Sequence, residues 1–280
     1  TRAEDLAIQM QLLTAYTVRP GWRPEAFQRI QTFASTLQDQ QDATAGGVLG
    51  RELNLLLHAG DQRWSSQPSR EEIAASKPED LRALLEPQLS AGPIEVVIVG
   101  DITVEKAIEA VAQTYGALPP RPGPNYRHGQ NKTARLPAPT AQPVTLTHKG
   151  RADQGRAFMA WPTDDFFADT QTSRTLRVLA DIMDLRLTEE IRENQGATYS
   201  PQVGSNASSV FEDYGYISTS IETQPEKLAP FFADVAKIAA ELRDAPVSAD
   251  YLDRAKKPAL EALEKRKETN EFWLGQLSGA

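Results

Sequence analysis

A proline-rich stretch at residues 119–143 constrains the fold most, because neither a helix nor a central strand can run through it. It reads PPRPGPNYRHGQNKTARLPAPTAQP and contains seven prolines with almost no aliphatic periodicity. Proline fixes φ and lacks a backbone donor, so such a segment is expected to be extended, with polyproline character. We therefore predict a linker at 121–143 between a first domain at 1–120 and a second at 144–280.

The first domain is predicted to be mainly helical. Apolar residues recur three and four positions apart through most of the first 90 residues, as in RPEAFQRIQTFASTLQDQ. The run IEVVIVGDI at 94–102 is nearly all apolar and predicts a strand covered on both faces. Helical spacing then returns in TVEKAIEAVAQTYGAL.

The second domain is predicted to alternate strands and helices. VTLTHKG (144–150) and GRAFMAWPT (155–163) predict strands, and a long helix follows from about Asp169 to Asn194. TYSPQVGSNASSV and YGYISTSIET, joined by FED, predict an antiparallel hairpin. Two helices close the chain, and Pro258 is expected to bend or break the second. This order of elements predicts an α+β fold.

Composition excludes several classes of partner. The net charge of −8 and the pI near 5.1 argue against nucleic acid and anionic membrane surfaces, both of which favour clustered Lys and Arg. No run of 18 apolar residues occurs, so no membrane-spanning helix is predicted. The chain has no cysteine, which fits the periplasm and the cytosol equally.

The chain also lacks the common catalytic motifs. Its three histidines are His58, His128 and His148, and no pair has the spacing of a two-histidine zinc clamp, whether HExxH or HxxEH. We therefore predict no metal site and no catalytic residue in this chain. His58 in LLLHAGDQ is interpreted as a helix cap. A phosphate loop and a GxSxG elbow are also missing.

The stretch LTEEIRENQGATYS, residues 187–200, carries the one pair of side chains that suggests a function. Gly196 can end a helix, and Arg192 and Tyr199 then lie on either side of a helix-to-strand corner. A guanidinium and a phenol aimed at one cleft could donate hydrogen bonds to a peptide carbonyl or an oxyanion. In the alternative interpretation, Arg192 pairs with a glutamate such as Glu189 and Tyr199 packs on the sheet.

Read together, these stretches resemble the pitrilysin/insulinase family (M16) of zinc metallopeptidases. LTEEIRENQGATYS resembles the Arg-x6-Tyr signature in the C-terminal half of that family. IEVVIVGDITVEKAIEAVAQTYGALP is similar to the strand, GD and helix passage that closes a family domain before the linker. KRKETNEFWLGQLS resembles a tail helix of bacterial members, and the resemblance covers nearly the whole chain.

The resemblance implies two incomplete homologous M16-type α/β sandwich domains, each an antiparallel-rich sheet packed with helices, joined by the Pro-rich linker. Residues 1–120 would be the latter part of a non-catalytic domain, and residues 144–280 a C-terminal-type domain truncated at its end. The catalytic zinc of the family is held by HxxEH and a later glutamate in an upstream domain. Arg192 and Tyr199 would bind substrate carbonyls next to the scissile bond, and Tyr199 would help to stabilise the oxyanion.

Two functions remain open. The first, which the resemblance favours, is the substrate-binding C-terminal half of a zinc metalloendopeptidase, with peptide substrates and the N-terminal catalytic half of the same polypeptide as partners. The alternative is a non-catalytic scaffold or partner subunit of the same fold. Retention of Arg192 and Tyr199 favours the first function, and the bacterial resemblance suggests periplasmic or other export, with the cytoplasm as the alternative.

Overall fold

A computed structural model of the protein describes residues 2–65, 67–123, 133–195 and 201–278. The chain divides into two compact units that interleave along the sequence. The first unit comprises Thr1–Phe33, Glu71–His128 and Leu260–Ala280, and the second comprises Ala34–Arg70 and Gly129–Ala259. The domain bounds predicted from the linker stay a prediction.

The described residues form ten α-helices and three β-strands. The helices are α1 (Leu6–Val18), α2 (Pro24–Asp42), α3 (Ala45–Leu57), α4 (Arg70–Ala75), α5 (Pro78–Ser90), α6 (Val104–Ala112), α7 (Thr170–Gln195), α8 (Leu228–Asp244), α9 (Ala249–Lys267) and α10 (Asn270–Leu277). The strands are β1 (Gly155–Thr163), β2 (Gln202–Ala207) and β3 (Gly215–Thr223).

The first unit contains helices but no β ladder in its described part. Its buried apolar side chains there are Met10 and Ile73, whereas Leu12, Leu13 and Ile108 are at least half exposed. The predicted strand at 94–102 is wrong, because residues 93–99 have no regular secondary structure. A strand exists only when a neighbour completes its hydrogen-bond ladder, and no described residue does so here.

The second unit is built around a three-stranded antiparallel sheet in the order β1-β3-β2. Thr219 at the centre of β3 faces Met159 of β1 and Val203 of β2. The predicted hairpin of β2 and β3 is therefore confirmed, as is the α+β class of the fold. β1 matches the predicted strand at 155–163.

Helices α7 and α8 cover one face of this sheet and enclose the core. The core contains Ala157 of β1 and Ile221 of β3. Helix α7 adds Met183, Leu187 and Ile191, and helix α8 adds Phe231, Val235 and Ile238, so that the core residues of each helix are three or four positions apart. This spacing gives each helix one apolar stripe toward the sheet. The stripe on α7 runs directly to the residue before Arg192.

Two further predictions concern residues 144–150 and Pro258, and the strand predicted at 144–150 is wrong. Residues 144–150 form no strand, and the end of this segment is bound to α2 instead, where Lys149 donates from both its backbone N–H and its ammonium to Asp42 at 2.7 and 2.9 Å. Pro258 does not break its helix, since α9 continues through it and ends at Lys267, and the bend expected there stays a prediction. The break falls at Thr269, whose hydroxyl accepts from Phe272 N–H at 3.3 Å and begins α10.

Candidate substrate-binding site

The predicted pair falls at the end of α7. Arg192 lies in the last turn of this helix, and Tyr199 lies between the helix and β2. The side chains of residues 192–195 and all of residues 196–200 are outside the described part of the chain. The described residues therefore show the elements on either side of the pair, which are α7 and β2. The convergence of Arg192 and Tyr199 on one cleft stays a prediction.

The sheet side of α7 is anchored by its apolar stripe. Leu187 and Ile191 are completely buried, and Met183 is 5% exposed. Successive helical residues project about 100° apart. Ile191, the residue before Arg192, is thus fixed in the core.

A second contact ties α7 to β2. Asp184 Oδ1 accepts a hydrogen bond from Val203 N–H at 2.9 Å, four residues after Tyr199. Burial raises the pKa of Asp184, although the bond from Val203 opposes that shift. Burial also raises the pKa of Asp181, one turn earlier on the helix. The strand that follows Tyr199 is thus bound to the helix that carries Arg192.

Helix α9 contacts α7 at Glu189. The Tyr251 hydroxyl donates to Glu189 Oε2 at 2.5 Å, and the Arg254 guanidinium donates to Oε1 at 2.7 Å. The guanidinium carbon of Arg254 also lies 5.3 Å from the centre of the Tyr251 ring. The hydrogen bond from Tyr251, followed by that from Arg254, lowers the pKa of Glu189. Both carboxylate oxygens of Glu189 thus have partners on α9. The alternative in which Glu189 pairs with Arg192 stays a prediction, because the Arg192 side chain lies outside the described residues.

Helix α8 adds two ion pairs to the same part of α7. Lys237 Nζ donates to Glu190 Oε1 at 2.9 Å, and Arg186 pairs with Glu241. The bond to Glu190 raises the pKa of Lys237. In the described residues, all ion pairs of α7 are thus made by Arg186, Glu189 and Glu190.

The opposite end of the hairpin is organised by Asp165, which sequence reasoning missed. Its Oδ2 accepts from Asp213 N–H at 2.9 Å, and its Oδ1 accepts from Phe167 and Ala168 N–H at 2.8 and 3.0 Å. These bonds, that of Asp213 first, lower the pKa of Asp165. The signal available in the sequence was an aspartate at the start of a turn, since Asp bonds the backbone two residues on.

His58 plays the structural role predicted for it. It follows the last residue of α3, and its Nδ1 donates to Asn54 O at 2.6 Å. Its ring stacks on Trp64 and Tyr214, with centroid distances of 3.7 and 5.0 Å. Burial raises the pKa of Tyr214 to about 12. His148 is half-buried, with its Nε2 2.9 Å from Gln154 O, and His128 lies outside the described residues.

The described residues do not fit a resident zinc ion. Over the described ranges, no group of three or more His, Cys, Asp or Glu is placed to hold a metal. Over the same ranges, no helix has the length and apolar character needed to cross a membrane.

Three known proteins are similar to nearly the whole chain. The non-peptidase homolog YmxG of Helicobacter pylori is 24% identical in an alignment of 301 positions that covers 98% of this chain and 67% of that protein. A protease from Helicobacter pylori has a solved structure that superposes with a TM-score of 0.74 at 13% identity, over 98% of this chain and 66% of that one. The first half of the periplasmic protease PqqL from Escherichia coli matches with a TM-score of 0.62 at 14% identity, over 95% and 57%.

These solved structures show the fold, and this chain spans about two thirds or less of their length. The family is shown by residues 77–258, which match the description "Peptidase M16 inactive domain" over more than half of the chain. That match contains α7, β2 and both predicted site residues. The chain belongs to the peptidase M16 family and contains its inactive domain.

Proposed function

We propose that this chain is part of the substrate-binding C-terminal half of a zinc-dependent metalloendopeptidase that cleaves peptides or unfolded segments. The zinc site of the parent, HxxEH, would lie in an upstream domain. The observation that carries the proposal is the match to the M16 inactive domain across residues 77–258, with Arg192 and Tyr199 inside it at the family spacing. The fragment alone is not expected to hydrolyse peptides.

In this proposal Arg192 donates to a substrate carbonyl near the scissile bond. Tyr199 donates to the neighbouring carbonyl and helps to stabilise the developing oxyanion. Donors of this kind are effective when they are held in place before the substrate arrives. The buried stripe of α7, the bond from Val203 to Asp184, and the contacts of Glu189 and Glu190 support such a fixed helix end.

The proposed partners are a peptide and the N-terminal catalytic half of the same polypeptide. Strand addition at an exposed sheet edge would bind the substrate through its backbone, so that side chains are read loosely. The first unit exposes many apolar helix residues, among them Ile8, Leu12 and Leu84 at 52%, 50% and 67%. Exposed apolar surface of this kind supports a covering partner. Export to the periplasm is part of the same proposal.

A second candidate is a non-catalytic scaffold or partner subunit. It is favoured by one observation, the similarity to YmxG, which is described as a non-peptidase homolog. The two candidates differ in a feature of the parent protein. An upstream HxxEH is required by the first and not by the second.

The test is peptidase turnover of the full-length parent carrying Arg192→Ala or Tyr199→Phe. Removal of one oxyanion-type donor should reduce turnover by roughly 10² to 10³. Arg174→Ala is the matched control, because Arg174 is an exposed arginine at the other end of α7. Wild-type turnover in both site variants would show that the assigned roles are wrong. A parent that contains no HxxEH and cleaves no peptide would support the scaffold.

A further inference from the structure

Strand β1 is an outer strand of the described sheet, and alternate residues of β1 turn their backbone groups away from β3. Val203 donates its N–H to Asp184 and so points away from β3, which means that Thr219, opposite Val203, points its own backbone groups toward β1. Thr219 therefore bonds with Met159, and the residues on either side of Met159 point outward. The outward residues of β1 are Arg156, Phe158, Ala160 and Pro162.

The two outer edges of the sheet differ in how they are protected. On β2, the N–H of Val203 is bound by Asp184 at 2.9 Å, so a strand that added there would have to break this bond. On β1, the N–H groups of Arg156, Phe158 and Ala160 have no hydrogen-bond partner in the described part of the chain. Phe158 and Ala160 are half-buried, and a backbone group that is buried without a partner is unfavourable. Such an edge favours pairing with a further strand.

The outward edge of β1 is complementary to itself. Antiparallel pairing about a two-fold axis at Phe158 places Phe158 opposite its own copy and Arg156 opposite Ala160. The pairs formed in this way would exchange about six hydrogen bonds. Pro162 lies beyond the paired segment, so the N–H that it lacks is not required.

Charge and proline position favour this register over its neighbours. Arg156 is the only charged residue of β1, and in this register it faces an alanine instead of its own copy. A shift of the axis toward Arg156 would leave fewer pairs and would bring the two arginines together. A shift toward Ala160 would bring Pro162 against the partner strand, where its ring takes the place of a donor. The two Phe158 rings meet at the axis, and aromatic pairs across strands are favourable.

We propose that β1 pairs with β1 of a second copy of this chain, so that the three strands of each copy form one continuous sheet. This pairing does not involve Arg192 or Tyr199 and is compatible with either candidate function. The paired segment, residues 156–160 of each copy, is short. The interface is therefore expected to belong to the weak class, which buries less than about 1,200 Å².

The test is the molar mass of the full chain, measured by sedimentation equilibrium from about 5 to 300 µM, a range that covers weak association. The monomer has a mass of 30.8 kDa, and the mass of the wild-type chain should rise toward twice this value with concentration. Ala160→Pro removes an outward N–H from each copy and leaves the ladder with β3 intact, because proline is tolerated on outer strands. Loss of the two hydrogen bonds should raise the Kd of the dimer about fivefold or more.

Ser205→Pro is the matched control. Ser205 lies two residues after Val203 and also points outward, so this variant removes an outward N–H from β2, which the dimer does not use. Its Kd should equal that of the wild-type chain.

Charge at position 160 tests the register and provides a second readout if Ala160→Pro folds poorly. In the dimer, residue 160 of one copy faces Arg156 of the other. Ala160→Glu should therefore lower Kd about two- to tenfold, and Ala160→Lys should raise it by a similar factor, because opposite charges across strands are favourable and like charges are not. Both effects should shrink at about 1 M salt, where the Debye length is about 3 Å.

Three results would overturn the inference. They are a monomer at every concentration, an equal Kd for Ala160→Pro and Ser205→Pro, and shifts of the same sign in Ala160→Glu and Ala160→Lys. The second result would assign the association to another surface, such as the exposed apolar helices of the first unit. A monomeric chain that binds fluorescein-labelled β-casein, and loses this binding in Ala160→Pro, would show that the edge receives a substrate strand instead of a second copy.

Discussion

Leu187→Ala tests whether the core beneath α7 holds the helix that carries the proposed site. Leu187 is 0% exposed and packs in the cluster that joins α7 and α8 to the sheet. The substitution removes apolar groups from the centre of that cluster without changing charge or hydrogen bonding. Alanine is also a strong helix former, so the intrinsic preference of the helix is preserved.

The expected loss follows from burial. Leucine exceeds alanine by three carbon groups, and at about 0.8 kcal/mol for each buried group the transfer loss is about 2.4 kcal/mol. Any cavity that remains adds to this, which brings the expected loss in the free energy of unfolding to about 3 to 5 kcal/mol. Leu252→Ala on α9 is the matched control, because Leu252 is 39% exposed. Its substitution should cost roughly 1 to 1.5 kcal/mol and leave no enclosed cavity.

The assay is urea unfolding of the full chain, followed by tryptophan fluorescence. Trp161 packs against the core and Trp64 belongs to the same unit, so a Trp22→Phe/Trp273→Phe background restricts the signal to the second unit. Equal losses for Leu187→Ala and Leu252→Ala would refute the reasoning. So would a loss below about 1 kcal/mol for Leu187→Ala, since α7 would then not depend on this core.

Two further predictions concern the hairpin and its turn. Gly215→Ala should destabilise the second unit by about 1 to 3 kcal/mol in thermal unfolding, because a Cβ at this position would lie 2.3 Å from Asp164 O. Gly204→Ala is the control and should be tolerated, because a Cβ at that position would meet nothing within 4 Å. Equal melting temperatures for the two variants would contradict this. The backbone N–H groups of Asp213, Phe167 and Ala168 lower the pKa of Asp165. The contribution of Asp165 to stability is therefore present above the unfolded pKa of about 3.9 and is lost as pH falls through the folded pKa. Asp165→Asn should therefore weaken the dependence of unfolding on pH below about pH 4, and an unchanged acid profile would show that this carboxyl is not responsible.

The long helix α7 and the hairpin of β2 and β3 were predicted correctly, because their own residues carry the pattern that specifies them. The helix expected from about Asp169 to Asn194 is observed at Thr170–Gln195, because its apolar stripe has the helical period. The hairpin was also found, since each strand supplies the partner of the other across a short turn. The strands predicted at 94–102 and 144–150 were not found, because apolar β-forming residues do not specify a neighbour.

Contacts between distant residues explain the remaining differences. A proline inside a helix costs about 3 kcal/mol, which favoured a break at Pro258. Just before that position, however, Ala255 is buried and Tyr251 and Arg254 bind α7, so tertiary contacts hold α9 in place. The link between Glu189 and Arg254 spans 65 residues, and no local pattern in the sequence indicates it.

The distribution of charge on α7 departs from local preference at the C-terminal end of the helix. Glu189, Glu190 and Glu193 all lie in its last two turns, where the negative end of the helix dipole makes acidic residues unfavourable. The structure offsets this at Glu189 and Glu190 with cations from α9 and α8, respectively. A helix that only fills space would be more stable with neutral or basic residues there. Departures from local preference that distant residues compensate are expected at functional sites. The compensation at Glu189 and Glu190 comes from residues 65 and 47 positions farther along the chain, so the sequence alone does not reveal it.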